Sequence, residues 1–144
     1  MARPKTILIV DDSQAVVDAL TAAFEDGGYA VAAASDGEEV FRRMTDVEPE
    51  ALLLDIYMPK LNGADVCRLV KAHPHWKRTF LVLMSSRISD REIDGYRRMG
   101  ADEILLGYPG HQLSLLWTYI EKLPFAKAAL GAFSGIDQGR GAFK

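Results

Sequence analysis

Residues 7–13 read ILIVDDS, a run of four apolar residues that ends in two adjacent carboxylates and a serine. Short apolar runs recur at 52–54, 80–84 and 104–106, with a weaker one at 29–34. None of them alternates apolar with polar residues, as a strand exposed on one face would. Continuous runs are typical of strands covered on both faces, so residues 7–10 predict the first strand of a parallel sheet with helices above and below it.

Stretches with helical spacing separate these runs. Their apolar positions, at intervals of three or four, are Val16, Val17, Leu20 and Phe24; Val40, Phe41 and Met44; Val66, Leu69 and Val70; Ile93, Tyr96 and Met99; and Leu113, Leu116, Trp117 and Ile120. Residues that favour helix ends stand between them: Asp12 or Ser13, Gly27 and Gly28, Ser35 or Asp36, and Gly100. The resulting order, βαβαβαβαβα, predicts a doubly wound α/β fold with a five-stranded parallel sheet.

The composition limits the classes of protein that fit. The chain has 144 residues, 49% of them hydrophobic and 26% charged, which is the profile of one globular domain. Its one cysteine, Cys67, lies in an apolar helical stripe, so we expect a buried thiol and a reducing, cytoplasmic location. The formal charge of −3, without a sustained basic run, argues against direct nucleic-acid binding. No apolar stretch approaches the roughly 18 residues of a membrane span, so we expect no membrane association.

Polar residues that carry chemistry follow the predicted strands. Asp11 and Asp12 come after the first strand, Asp55 after the third and Ser85 after the fourth. The carboxyl ends of parallel strands share one edge of the sheet, where ligands bind, so we expect the three carboxylates to converge there. Like charges held close together are costly unless a cation or a reaction uses them. Mg²⁺, which takes carboxylate, water and phosphate oxygens, suits such an open acidic pocket.

Five motifs, in order along the chain, resemble the response-regulator receiver family over about residues 5–123. They are ILIVDDS at 7–13, LLLDIYMP at 52–59, NG at 62–63, LMSS at 83–86 and GADE at 100–103. The resemblance implies a flavodoxin-like (βα)5 receiver fold and a role in two-component signal transduction. It also implies that a histidine kinase or a histidine phosphotransfer protein supplies a phosphoryl group, and that the receiver then signals by contact with a downstream target protein.

The resemblance implies a role for each site residue as well. Asp55 corresponds to the phosphoacceptor, and Ser85 to the switch hydroxyl that hydrogen-bonds a phosphoryl oxygen. Asp11, Asp12, Asp55 and the backbone carbonyl of Tyr57 correspond to the Mg²⁺ ligands. The Tyr57 ring is either a gate that slows water attack at the acceptor or an ordinary loop aromatic. Such a domain is not an enzyme in the ordinary sense, since it catalyses only its own phosphorylation and dephosphorylation.

Two positions depart from the family pattern. Gly107 replaces the family's lysine at the end of the fifth strand, and Ile104 replaces its aromatic switch residue. A missing ammonium removes a charged hydrogen bond to the phosphoryl group, worth roughly 1.5 to 3 kcal/mol. Lys60 or Arg87, in adjacent loops, are candidates to replace that charge. The alternative function is a pseudo-receiver, a binding module of the same fold that works without phosphorylation.

Two other chemistries fit the sequence less well. Aspartate-nucleophile phosphatases also use a strand-ending Asp with Mg²⁺, but they need a second acid two residues later, where this chain has Tyr57. Residues 73–75, His-Pro-His, suggest a metal site, but they are expected to form a solvated turn far from the acidic pocket.

The fifth predicted helix, at about 111–123, carries a second apolar line formed by Leu115, Tyr119 and Leu123. The surface made by the fourth helix, fifth strand and fifth helix is therefore a candidate for homodimer formation or target binding, as the resemblance also implies. Alternatively, the chain's own tail covers this surface. We expect a receiver domain over 5–123 and a tail over 124–144, with a short extra helix and a flexible glycine-rich end.

Overall fold

The structure, a computed structural model, describes residues 5–58, 60–85 and 88–106, with the backbone alone at Leu105 and Leu106. The strands are β1 (Thr6–Val10), β2 (Ala30–Ala34), β3 (Ala51–Asp55), β4 (Phe80–Ser85) and β5 (Glu103–Leu106). The helices are α1 (Gln14–Asp26), α2 (Gly37–Val47), α3 (Gly63–Ala72) and α4 (Asp90–Arg98). The predicted fifth helix at 111–123 and the tail over 124–144 lie outside the described residues.

All five strands are parallel and lie in the order β2-β1-β3-β4-β5. The predicted doubly wound α/β fold is therefore confirmed, and this strand order is that of flavodoxin-like sheets. Each strand agrees with its prediction to within one residue at either end. Strand addition changes direction after β2, which puts β1 and β3 side by side. Ligands of such sheets bind at this switch point, beyond the carboxyl ends of the strands.

Side chains of the central strands point alternately into two apolar layers. In β1, Ile7 and Ile9 pack with α1, whereas Leu8 and Val10 pack with α2 and α3, and all four are fully buried. The layer beside α1 includes Val16, Leu20, Phe24, Leu53, Val82 and Met84. The layer beside α2 and α3 includes Val40, Met44, Leu52, Leu54, Val66, Cys67, Val70, Leu81 and Leu83. Burial on both faces explains why the apolar runs are continuous.

The predicted helix ends lie where the sequence placed them. Ser13 Oγ accepts a hydrogen bond from Val16 N–H at the start of α1, and Asp36 Oδ1 accepts one from Glu39 N–H at the start of α2. Gly100 follows α4 with a φ of 108°, in the left-handed region that ends many helices. In the part of the chain described, no helix has the length and apolar content needed to cross a membrane.

The predicted buried face of α3 is wrong in one position. Leu69 is 54% exposed, and the buried side of the helix consists of Gly63, Val66, Cys67 and Val70. Successive helical residues turn by roughly 100°, so a face centred on Val66, Cys67 and Val70 leaves Leu69 at its margin. Cys67 is fully buried as predicted, and burial raises the pKa of its thiol to about 11.

The helix α4 is attached less firmly than the others. None of its nine residues is fully buried, although Ile93 and Tyr96 are partly buried against the layer beside α2 and α3. Gly95 in its interior lowers helix stability by about 1 kcal/mol relative to alanine. Its start is well defined, because Ser89 and Glu92 form a reciprocal capping box.

Candidate functional site

The three carboxylates predicted to converge lie together. Val10 pairs with Leu54 in the register between β1 and β3, so Asp11 and Asp55 come next at adjacent strand ends. One carboxylate oxygen from each of Asp11, Asp12 and Asp55 lies within 4.8 Å of the other two. Within residues 5–58, 60–85 and 88–104, this is the only group of three or more His, Cys, Asp or Glu side chains arranged in this way.

The turn into α1 gives Asp11 and Asp12 different exposures. Asp11 is only 5% exposed, and its Oδ1 accepts a hydrogen bond from Ser13 N–H at 2.8 Å. Asp12 is exposed. Ser13 caps α1, so the same short segment begins the helix and orients both acids. One carboxylate is therefore anchored inside the domain while the next is open to solvent.

The carboxylate of Asp55 is partly buried at the carboxyl end of β3. Its Oδ1 accepts a hydrogen bond from Tyr57 N–H at 3.0 Å. Burial raises the pKa of Asp55 above its ordinary value and the charge of Asp12 raises it further, against the lowering effect of the Tyr57 N–H. The local environment therefore disfavours additional negative charge and favours the arrival of a cation.

These carboxylates fit a hard divalent cation. Mg²⁺ takes oxygen ligands at about 2.0–2.1 Å and usually keeps several waters, so one or two carboxylates in an open pocket suffice. Oxygens within 4.8 Å of one another need only small side-chain rotations to share an ion. The exposure of Asp12 and the partial exposure of Asp55 leave room for water and a phosphate oxygen. The contribution of the Tyr57 carbonyl stays a prediction.

The segment after Asp55 is held close to α3. Asn62 begins this helix, and its Oδ1 accepts hydrogen bonds from the N–H groups two and three residues later, at 3.0 and 3.2 Å. The next residue has no room for a side chain, because a Cβ on Gly63 would lie 2.9 Å from Ile56 Cβ. The NG motif at 62–63 therefore has a packing role. Pro59, in the same loop, lies outside the described residues.

Ser85 is the last residue of β4 and is 2% exposed. The residue before it, Met84, pairs with Asp55 across the strands, so Ser85 lies next to the carboxyl end of β3. Ile104, at the position expected to hold an aromatic residue, is 6% exposed and packs in the layer beside α2 and α3. Ser86, Arg87 and Gly107 lie outside the described residues.

Glu92 is a site residue that sequence reasoning missed. The hydroxyl of Tyr57, a residue that is 55% exposed, donates a hydrogen bond to Glu92 Oε2 at 2.9 Å. This hydrogen bond raises the pKa of Tyr57 and lowers the pKa of Glu92. The spacing of Ser89 and Glu92 could have identified a capping box. No local signal in the sequence points to a partner 35 residues away.

The turn at 73–75 is solvent-exposed at Pro74 and His75, as predicted, but His73 is partly covered. His73 stacks on Trp76 with ring centroids 3.8 Å apart, and Trp76 stacks on Phe41 at 6.0 Å. Both His73 and Trp76 line a groove of about 820 Å³ at the amino-terminal ends of β3 and β4. The two histidines therefore lie at the end of the sheet opposite the acid cluster, as expected, and so does the groove that they line.

Comparison with known proteins identifies relatives by sequence. Residues 7–106 match the family model of the response regulator receiver domain. The alkaline phosphatase synthesis transcriptional regulatory protein PhoP of Bacillus subtilis is 36% identical over 103 residues, which are 70% of this chain and 41% of PhoP. The response regulator MprA of Mycolicibacterium vanbaalenii is 39% identical over 69 residues, which are 48% of this chain and 30% of MprA. The chain therefore matches less than half the length of these relatives.

Solved structures share the fold. The phosphorylated cyanobacterial phytochrome response regulator RcpA has a TM-score of 0.73 at 23% identity, over 87% of this chain and 96% of RcpA. The Mn(2+)-bound form of response regulator Rcp1 has a TM-score of 0.65 at 22% identity, over 72% of this chain and 81% of Rcp1. At these identities the likenesses bear on the fold alone.

Proposed function

The chain belongs to the response regulator receiver domain family, and from that membership we propose that it accepts a phosphoryl group on Asp55 in a Mg²⁺-dependent reaction. The observation that carries this proposal is the position of Asp55, whose carboxylate lies within 4.8 Å of those of Asp11 and Asp12. Such a cluster is costly in free energy unless a cation offsets its repulsion. A phosphoacceptor site uses both the acids and the cation.

Asp55 is the proposed nucleophile. One of its carboxylate oxygens attacks the phosphorus of a phosphohistidine, the P–N bond breaks, and its electron pair leaves with the imidazole, which is then protonated. The product is an acyl phosphate on Asp55. The hydrogen bond from Tyr57 N–H to Oδ1 favours the ionised carboxylate and leaves Oδ2 for the attack.

Asp11, Asp12 and Asp55, with the Tyr57 carbonyl, are the proposed Mg²⁺ ligands. When bound, the ion offsets the negative charge on the oxygens of the transferring phosphoryl group. The exposed Asp12 can bind the ion directly, and the buried Asp11 can hold it through water or directly. The Mn(2+)-bound form of Rcp1, which shares this fold, supports a divalent cation in the proposal.

Ser85 is proposed to donate a hydrogen bond to a phosphoryl oxygen. At 2% exposure its hydroxyl is shielded from water, and hydrogen bonds are stronger in such surroundings. With Gly107 in place of a lysine, the transfer depends more on the cation and on Ser85. Of the two candidates for a replacement charge, Lys60 and Arg87, only Lys60 lies within the described residues. It is exposed and has a φ of 62°.

The proposed donor is a histidine kinase or a histidine phosphotransfer protein, and the proposed output is contact with a downstream target protein. The printed names of the relatives, a transcriptional regulatory protein and a response regulator, support a signalling role. A homodimer through α4, β5 and the fifth helix is also proposed. We also propose a cytoplasmic location. The receiver domain is proposed to cover residues 5–123, with a tail over 124–144. Its catalysis is proposed to be limited to its own phosphorylation and dephosphorylation.

A binding module that works without phosphorylation is the second candidate. Two observations favour it: Gly107 stands at the lysine position, and Ile104 is packed in the core where an aromatic switch is usual. In such a module the acid cluster would bind a cation without taking a phosphoryl group, and partner binding would not depend on Asp55.

Intact-protein mass spectrometry after incubation with acetyl phosphate decides between the two candidates. The wild type is expected to gain one phosphoryl group with Mg²⁺ and none with EDTA. Asp55→Asn, which keeps the shape of the side chain, and Asp55→Ala are expected to gain none. A folded wild-type sample that gains no phosphoryl group, while a known active receiver treated in parallel does, would favour the binding module.

A further inference from the structure

We infer that the groove at the amino-terminal ends of β3 and β4 is a second binding site, whose ligand is a small molecule in which a planar aromatic ring carries a carboxylate or a phosphate. Its volume of about 820 Å³ is within the roughly 300–1,000 Å³ of small-molecule sites. One wall is formed by residues within 45–50 and the other by residues within 73–79. The groove lies at the end of the sheet opposite Asp55, so the inference does not depend on phosphoryl transfer there.

Hydrogen bonds between the two walls fix the shape of the groove. The Thr79 hydroxyl donates to the Pro49 carbonyl at 3.1 Å, and both residues are buried. Beside this bond, Phe80 N–H donates to the Glu50 carbonyl at 2.9 Å. The Lys71 ammonium donates to the Thr79 carbonyl at 2.8 Å, which attaches the second wall to α3. Because these bonds form without a ligand, binding does not have to order the walls.

Two aromatic side chains, His73 and Trp76, line the groove and are partly exposed. Their rings stack with centroids 3.8 Å apart, and Trp76 also stacks on Phe41, which ties this wall to α2. His73 Nδ1 accepts a hydrogen bond from His75 N–H at 3.1 Å, which fixes the orientation of the ring. The neutral ring then carries its proton on Nε2 and has no lone pair left for a metal ion. The stack therefore suits a further planar ring as ligand.

The charge that the groove offers to a ligand is positive. Arg78 lines the groove and is exposed, and within the described part of the chain its guanidinium forms no hydrogen bond or ion pair. Glu48 and Glu50 line the opposite wall, but both residues have partners, and the Glu50 carboxylate accepts a hydrogen bond from Thr6 N–H. Guanidinium groups bind carboxylates and phosphates through two parallel N–H donors. An anionic group on the ligand therefore complements Arg78, with the exposed His75 on the same wall.

Nuclear magnetic resonance of the full isotope-labelled chain tests the site. The indole N–H signal of Trp76, identified by its absence in Trp76→Phe, is followed during titrations in EDTA. Adenosine 5′-monophosphate and indole-3-acetate are the charged probes, one for a phosphate source and one for a carboxylate source. Their uncharged counterparts are adenosine and 3-methylindole, and ribose 5-phosphate lacks the aromatic ring. We expect at least one charged probe to shift the Trp76 signal, and the tighter of the two identifies the source. Its uncharged counterpart is expected to bind at least roughly ten-fold more weakly, and ribose 5-phosphate to cause no shift.

Arg78→Met is expected to raise the Kd of the bound probe roughly ten-fold or more, because it removes the guanidinium donors. Lys77→Met is the matched control, since it removes the same charge from an exposed neighbour that does not line the groove, and little change is expected. Glu48→Gln is expected to lower the Kd, because it removes a negative charge from the opposite wall. The amide signals of residues 11–13 are expected to stay in place, which separates this site from the acid cluster.

Failure of both charged probes to shift the Trp76 signal at millimolar concentration would overturn the inference. An unchanged Kd in Arg78→Met would do the same, and so would equal losses in Arg78→Met and Lys77→Met, which would indicate a response to net charge alone. Both substitutions change exposed side chains, so the folded domain is expected to survive them.

Discussion

Lys71, in the last turn of α3, donates a hydrogen bond to Asp102 Oδ2 across 2.6 Å, and the same oxygen accepts one from Leu81 N–H at 2.8 Å. The Lys71 ammonium also donates to the Thr79 carbonyl at 2.8 Å. The lysine and aspartate side chains are 14% and 35% exposed. This ion pair therefore joins α3 to the starts of β4 and β5, at the end of the sheet opposite the acid cluster.

Lys71→Met is expected to lower the free energy of unfolding by roughly 1 to 2 kcal/mol, because Asp102 would keep a partly buried charge without its cation. Urea unfolding at pH 7 measures the change. Arg68→Met is the matched control, since Arg68 pairs with Asp65 where both side chains are more than half exposed. There we expect a loss below about 0.5 kcal/mol. Equal losses in the two variants would contradict a structural role for the Lys71 pair.

Two glycines give opposite predictions for the same substitution. Gly100 has a φ of 108°, and a Cβ there would lie 2.8 Å from Lys71 Cγ, so Gly100→Ala is expected to destabilise the domain by roughly 1 to 3 kcal/mol. Gly95 lies inside α4, and a Cβ there would meet nothing within 4 Å, so Gly95→Ala is expected to stabilise by roughly 0.5 to 1 kcal/mol. Thermal unfolding of both variants decides, and shifts of the same sign would count against the prediction.

The buried thiol of Cys67 makes stability fall at alkaline pH. Its pKa in the folded domain is about 11 against an ordinary 9.0, so between these pH values the unfolded chain loses the proton while the folded domain keeps it. The free energy of unfolding therefore falls as pH rises through this range, by at most roughly 2 to 3 kcal/mol from this group.

Urea unfolding at pH 8 and pH 11 measures this loss. Cys67→Ala serves as the comparison, because Tyr29, whose pKa burial also raises, contributes in the same direction in both proteins. The wild type is expected to lose more stability than Cys67→Ala over this range, and equal losses would refute the assignment to the thiol. In the native state at pH 8, the thiol is expected to react with a disulfide reagent far more slowly than a free cysteine.

Asp12→Asn is expected to stabilise the metal-free domain, because it removes one of three mutually repelling carboxylates. In EDTA we expect a gain of roughly 0.5 to 1 kcal/mol by thermal unfolding, of the order of other close like-charge pairs near a surface. Added Mg²⁺ is expected to stabilise the wild type by mass action and Asp12→Asn much less.

The control for this variant is Asp94→Asn, which removes one exposed carboxylate on α4 that does not belong to the acid cluster. It is expected to leave the Mg²⁺ response unchanged. If Asp12→Asn responds to Mg²⁺ as strongly as the wild type, Asp12 is not a ligand.

The sheet was predictable because its strands are buried on both faces. In a run such as residues 7–10 every residue is apolar and fully buried. The ends of the run therefore mark the ends of the strand. The face of α3 was less predictable, because Val66, Leu69 and Val70 also have helical spacing. Cys67 is buried as predicted, but only the packing against the sheet leaves Leu69 exposed.

The acid cluster was also predictable, because parallel strands bring their carboxyl ends to one edge whatever the side chains do. Two side-chain contacts were not predictable from the sequence. One joins Tyr57 to Glu92, 35 residues apart, and the other joins Lys71 to Asp102, 31 residues apart. Both depend on where long side chains reach across separate elements. Backbone periodicity carries no information on that reach.

The shallow packing of α4 has a consequence for how this domain changes over evolutionary time. Because none of its residues is fully buried, most substitutions on its outer side leave the core intact and cost the fold little. After gene duplication, this helix can therefore drift in sequence faster than α1 or α3 without loss of folding. New recognition specificities can therefore arise on α4 with the strand-end acids unchanged.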